Sequence, residues 1–367
     1  MNKTDIEYVN SVIKRGMNWA LGPEIISLEN KLAKLVGLKH CVSFNSGTSA
    51  GHAVMIAMNL QKSQVLVPSF SFIATANWPL MVNASPKFID IEEDTLGMNP
   101  NKIEQKISSR VKAVMPIHFA GLPCKIDEIA SIAKKNKIKL IEDCAESLGS
   151  SIKNKKSGSF GDATILSFAG NKILTAGEGG AVLTNSDKLF EKLKLIRSHG
   201  RQTNENYFLS SKNPKYTTLG YNWRMSTITA ALALSQLENL DFLIKKRQEN
   251  VDYMIKNLKK CKQIKFHSAP KNFVHVNQLF PIILPNTKIR NNLMSFLTTK
   301  GIMSKIFFTP IHKSPHFKRL NVSSSNLTIT EKISNTIMSL PLFPDLTKKE
   351  MNFITDSVSE FFELNNS

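Results

Sequence analysis

The chain holds 367 residues, 42% of them hydrophobic, enough to bury a large core and to divide into two domains. Its formal charge of +19 is spread over segments such as Lys134-Lys135-Asn136-Lys137 and Lys245-Lys246-Arg247, with no interleaved aromatics, which argues against nucleic acid and leaves a field suited to an anionic small substrate. No apolar run is long enough to span a bilayer, and four scattered cysteines (Cys41, Cys124, Cys144, Cys261) argue against a disulfide framework or metal site and for a reducing cytoplasm.

The N-terminal residues 1–16 read as a polar amphipathic helix without a signal-peptide core. From there strand-like and helical segments alternate. The strand candidates are His40–Phe44, Gln64–Val67, Lys87–Ile91, Val111–Ile117, Lys137–Glu142, Ala163–Phe168 and Ala181–Thr184. Helical patterns at Ala50–Met58, Asn101–Ile107 and Ile126–Lys135 lie between several of them. This alternation predicts an α/β domain with a mostly parallel seven-stranded sheet, which binds ligands beyond the carboxyl ends of its strands. A long helical pattern follows from Ser226 to Lys260. Shorter strands (Gln278–Leu284, Met303–Phe307) and two helices (Ile289–Lys300, Lys349–Leu364) then suggest a smaller α+β domain, placing the division as 1–245 and 246–367. Ser323-Ser324-Ser325 reads as loop.

Five segments carry candidate chemistry. Asn45-Ser46-Gly47-Thr48-Ser49-Ala50 joins a strand to a helix, where glycine permits close approach and the first helical amides suit a phosphate; a plain helix cap by Ser46 or Thr48 is the alternative. Phe72, just past the second strand, can stack on a planar ring or simply fill core. Asp143 ends a strand, where its carboxylate can pair with a protonated ring nitrogen or cap a helix. Glu146 is then a capping-box partner or a second site residue. Lys172 stands between two apolar strands, ahead of Gly177-Glu178-Gly179-Gly180, where an amine kept from bulk water can attack a carbonyl; a solvated loop lysine beside a hairpin glycine is the alternative. Asn222 and Arg224 alternate with aromatics before the long helix, leaving one face free for anions. Together a lysine, an acid, a stacking ring and a phosphate cup, which Ser167 would complete, fit pyridoxal phosphate.

The segments NSGTSA, VLVPSFSFIATAN, KFIDIEEDTLGMNP, MPIHFAGLPCKIDEI, IEDCAESLGS, GSFGDATILSFAGNK, TAGEGGAVLTN and GYNWRMS resemble the DegT/StrS-type nucleotide-sugar aminotransferases, a fold-type-I pyridoxal phosphate group. The resemblance runs from about Trp19 nearly to the end. It implies that Lys172 is the Schiff-base lysine, Asp143 the pyridinium partner and Phe72 the stacking aromatic. Phosphate contacts fall on Gly47, Thr48 and Ser167, with Asn222 reaching in from a neighbouring subunit. Trp19, Glu146, Arg224 and His312 fall on the substrate side. The implied reaction moves an amino group from L-glutamate to a nucleotide-linked keto sugar, in a homodimer with shared sites. A dehydratase branch carries histidine in place of the lysine, so Lys172 argues against it. Elimination or racemisation of an amino acid on the same fold, and a non-catalytic sensor, are the rival readings.

Overall fold

Seven apolar segments pair into one sheet: β1 (His40–Phe44), β2 (Gln64–Pro68), β3 (Ser85–Ile89), β4 (Val111–Val114), β5 (Lys139–Asp143), β6 (Ala163–Ser167) and β7 (Gly180–Thr184). The computed structural model describes residues 1–202, 213–322 and 327–365; the serines 323–325 lie outside them. The strand order is β1-β7-β6-β5-β4-β2-β3, and every pairing is parallel except the two made by β7.

Alternate residues of the strands face opposite layers, as the two-residue pleat requires. Val42, Phe44, Val67, Ile165 and Val182 pack with the helix Gly47–Ala57 on one face. Cys41, Leu166 and Leu183 pack on the other with the helices Pro23–Val36 and Thr227–Glu238. Leu28 and Leu32, at 0% exposure, anchor that second layer, each contributing about 1.5–3 kcal/mol of burial.

The helix Leu240–Leu258 is shared between two cores. Leu240 and Ile244 rest on the second layer of the large sheet, whereas Val251, Met254 and Leu258 enter a separate cluster. That cluster covers an antiparallel sheet of Lys265–Phe266, Phe280–Ile283 and Ile337–Leu340, flanked by the helices Thr287–Thr299 and Lys348–Asn365.

Three expectations are corrected. The pattern from Ser226 to Lys260 is two helices, because the Asn239 amide donates to the Ser235 carbonyl at 3.1 Å and caps the first at Glu238. Met303–Phe307 is not a strand. Lys305 alone bridges Ser339, and the chain then turns so that Phe308 can pack edge-on to Phe70 and Phe119. The strand position belongs to Ile337–Leu340, a short segment with no alternation to mark it. The expected strand Val111–Ile117 ends at Val114, with Pro116 behind it and Ile117 making one bridge to Asp143.

Candidate active site

The carboxyl ends of β1, β2, β5 and β6 converge on a cavity of about 320 Å³. Gly47, Thr48, Phe72, Asp143, Glu146, Ser167 and Lys172 all line it. Two glycines make that convergence possible. A Cβ on Gly47 would stand 3.0 Å from the Ser167 Cβ, and one on Gly180 would stand 2.6 Å from the Gly47 nitrogen. Gly180 admits the 46–47 backbone, and Gly179 the Met225 and Phe168 side chains.

Ser46 caps the helix Gly47–Ala57, its hydroxyl accepting the Ser49 N–H at 3.0 Å. The cap and the phosphate seat are therefore compatible. Ser46 takes one amide, while Gly47 and Thr48 open the helix, where no carbonyl of a preceding turn can reach their N–H groups.

Asp143 is buried at the end of β5. Its Oδ1 accepts the Ala145 N–H at 3.1 Å and its Oδ2 the Thr75 hydroxyl at 2.9 Å. Thr75 in turn accepts from Ser71 at 2.7 Å. Burial pushes the Asp143 carboxyl above its ordinary value, against the pull of these donors and of Lys172, with Glu146 adding to the rise. A cation placed against it would favour the carboxylate. No helix follows this strand, so the helix-cap reading of Asp143 falls, and with it the capping box: Glu146 Oε2 accepts the Ala120 N–H at 2.9 Å.

Lys172 sits in the loop between β6 and β7, whose ends are closed by Phe168–Gly179 and Ala176–Phe168 backbone bonds of 2.9 Å. Its Nζ is 3.5 Å from Glu146 Oε1, with both side chains largely shielded. Phe72 is not core: it is 60% exposed at the cavity, with Phe308 at 6.5 Å between ring centroids.

Four expected residues do not line this cavity. Trp19 is half exposed, and its carbonyl accepts the Thr227 N–H. Asn222 is exposed and pairs with Ser198. Arg224 donates to the Ser198 hydroxyl at 3.2 Å and lines a separate surface pocket with His199, Arg201 and Tyr216. Burial lowers its guanidinium pKa, helped by Arg201 and Arg197. His312 is enclosed, its Nδ1 bonded to Ser69 at 2.7 Å and its Nε2 3.3 Å from Glu331.

Thr75, His118, Lys305 and Phe308 line the cavity without having been singled out. Thr75 reaches Asp143 only through the way β2 sits in the sheet. His118 belongs to a cluster with Glu142 and Cys144 that has metal-ligand chemistry among the described residues. Those donors are already used. Glu142 accepts the Gly158, Phe160 and Gly161 amides at 2.7–2.8 Å. His118 Nδ1 accepts Cys124 N–H, which assigns its proton to Nε2 facing Glu142, and burial pushes the Cys144 thiol up. The cluster braces the 158–161 loop against β5.

One ligand chemistry fits the groups gathered at these strand ends: an anion at the helix start, a basic aromatic ring nitrogen at Asp143, and a carbonyl within reach of an amine. Fold and cavity together are those of a pyridoxal phosphate-dependent transferase. The profile of the DegT/DnrJ/EryC1/StrS aminotransferase family matches residues 1–359, and the chain belongs to that family, whose members depend on pyridoxal phosphate. It is 32% identical over 357 residues to a GDP-perosamine synthase of Escherichia coli O157:H7, covering 97% of this chain and 95% of that one. It is 31% identical over 371 residues to a UDP-4-amino-4,6-dideoxy-N-acetyl-beta-L-altrosamine transaminase of Campylobacter jejuni, covering 99% and 96%. Among solved structures, Helicobacter pylori PseC, an aminotransferase involved in pseudoaminic acid biosynthesis, superposes with a TM-score of 0.92 at 28% identity over 99% of this chain and 97% of that one. The protein is an aminotransferase.

Proposed function

We propose that the protein moves an amino group from L-glutamate to a nucleotide-linked keto sugar, a 4-keto-6-deoxyhexose, giving an amino-deoxy sugar nucleotide for glycan or surface polysaccharide synthesis in the cytoplasm. The observation that carries this reading is the convergence of Lys172 and Asp143 on one cavity, in a chain similar over nearly its whole length to transaminases named for nucleotide sugars.

When bound, pyridoxal phosphate supplies an aldehyde that an amine can hold covalently and a ring that accepts an electron pair. The Gly47 and Thr48 amides, with the Thr48 and Ser167 hydroxyls, take the phosphate. Asp143, fixed by Thr75 and the Ala145 amide, keeps the proton on the ring nitrogen. Phe72 covers one ring face. Lys172 Nζ would hold the aldehyde and, when free, would carry a proton from the donor's α-carbon to the former aldehyde carbon, the shift between two carbons that amino-group transfer requires. Glu146 pairs with Nζ whenever it carries that proton.

The sugar nucleotide lies outward, with Lys305 at the cavity mouth positioned for its anionic part. A second copy of the chain supplies Asn222 and Arg224, which stand on the surface away from their own cavity. His312 supports the substrate side indirectly, through Ser69 and the segment that leads to Phe72. Incubation with a panel of keto-sugar nucleotides and L-glutamate, read by mass spectrometry, should show one keto oxygen exchanged for an amine. Release of ammonia or pyruvate from an amino acid, with no aminated sugar, contradicts the proposal.

A further inference from the structure

Behind Glu146 runs a set of contacts that the cofactor cavity does not account for. Its Oε2 holds the N–H of Ala120, a buried residue in the left-handed region at φ 56°, where a Cβ is disfavoured. The carbonyl of the same residue is held by three donors: His275 Nε2 at 2.9 Å, Gln278 N–H at 2.9 Å and Leu279 N–H at 3.4 Å. Val276 N–H takes the next carbonyl, Gly121, at 3.1 Å. Ala120 is thus fixed from both sides, by the site on one and by residues 275–279 on the other.

Gln278 also reaches the lysine loop directly. Its side chain, 2% exposed, donates from Nε2 to the Asn171 carbonyl, immediately before Lys172. Arg247 in turn holds the Gln278 carbonyl at 3.2 Å. The contacts close into a circuit: Lys172 to Glu146, Glu146 to Ala120, Ala120 to Gln278, and Gln278 back to Asn171. A residue introduced more than a hundred positions after the lysine therefore grips both ends of the Lys172–Glu146 pair.

We propose that Gln278, assisted by His275, is a positioning residue for Lys172, holding the Asn171 carbonyl and the Ala120 peptide in register so that Glu146 stays against the amine. The proposal rests on Lys172 being the reactive amine, but its first test needs no cofactor. In cofactor-free protein, acylation of Lys172 by acetic anhydride is followed by peptide mass spectrometry, against exposed Lys262 as internal reference. Gln278→Ala should raise the Lys172 to Lys262 ratio about threefold or more, the low end of coupling within one hydrogen-bond network. His275→Ala should move it the same way, and His275→Gln, which keeps a donor for Ala120, should restore it.

Arg290→Ala serves as the control for loosening of the C-terminal part alone, since Arg290 holds the Ser334 and Ile337 carbonyls and makes none of the hydrogen bonds of the circuit. It should leave the ratio at the wild-type value. In the loaded enzyme, Gln278→Ala should lower kcat about tenfold with KM for the sugar nucleotide little changed, the pattern of a lost reacting geometry. An unchanged labelling ratio in Gln278→Ala overturns the proposal, as does an equal shift in Arg290→Ala. Failure of wild-type protein to trap cofactor on Lys172 would count against the cofactor reading, and the labelling ratios would still decide this one.

Discussion

Lys172 Nζ and Glu146 Oε1 stand 3.5 Å apart, each side chain more than four-fifths shielded from water. Either charge left alone there would be costly. Glu146 has a second duty as acceptor for the Ala120 amide, so its variants should separate charge from support. Glu146→Gln keeps an acceptor for that amide and removes only the charge facing Lys172, so it should cost less stability than Glu146→Ala. Glu146→Ala strands the amide and should cost about 1–3 kcal/mol in urea unfolding. Equal stability of the two variants contradicts the double role.

Gly180→Ala tests the packing that creates the proposed phosphate seat. The added methyl meets the Gly47 nitrogen and Cα at 2.6 and 2.7 Å, and backbone cannot swing aside as a side chain can. Overpacking of this kind costs about 1–3 kcal/mol. Cofactor affinity, measured by equilibrium dialysis, should fall because the helix start must shift. Undiminished affinity would remove Gly180 from the account.

A pH effect on stability follows from His275. Burial lowers its pKa from the usual 6.5 to about 4, against the Ala120 carbonyl, which pulls it back up. Between those values the unfolded chain binds a proton that the folded chain refuses. The group's contribution is therefore complete above about pH 6.5 and lost progressively as pH falls through about 4. The full window is worth roughly 3 kcal/mol. Unfolding free energies at pH 7 and pH 4.5 should diverge less in His275→Gln than in wild type. The same difference in both proteins contradicts this assignment.

Shared sites can be read by complementation. Lys172→Ala and Asn222→Ala should each be inactive alone, because one lacks the amine and the other the group proposed to cross the interface. Refolding an equal mixture should restore about a quarter of wild-type activity if sites form between two copies, half the dimers being mixed with one intact site each. No recovery means that Asn222 acts within its own chain or not at all.

Much of the site was legible because it is local. Asp143, Ser167 and the Gly47–Thr48 turn all follow apolar strands directly, and the chemistry of a parallel sheet collects at those ends. The sheet was equally plain, its strands being short apolar runs with helical patterns between several of them. What stayed hidden depends on distance along the chain. Thr75 meets Asp143 only because β2 and β5 share a sheet, and Gln278 meets Asn171 only because two cores share the helix Leu240–Leu258. Trp19 and His312 rest on resemblance alone, Asn222 and Arg224 also on their alternation with aromatics, and none lines the cavity of its own chain.

The central claim is that Lys172 holds the cofactor. Protein loaded with pyridoxal phosphate should show a visible absorbance that borohydride abolishes, and mass spectrometry should place the reduced adduct on the peptide carrying Lys172, with Lys172→Ala showing neither. An adduct on another lysine, or wild type and Lys172→Ala behaving alike, contradicts it.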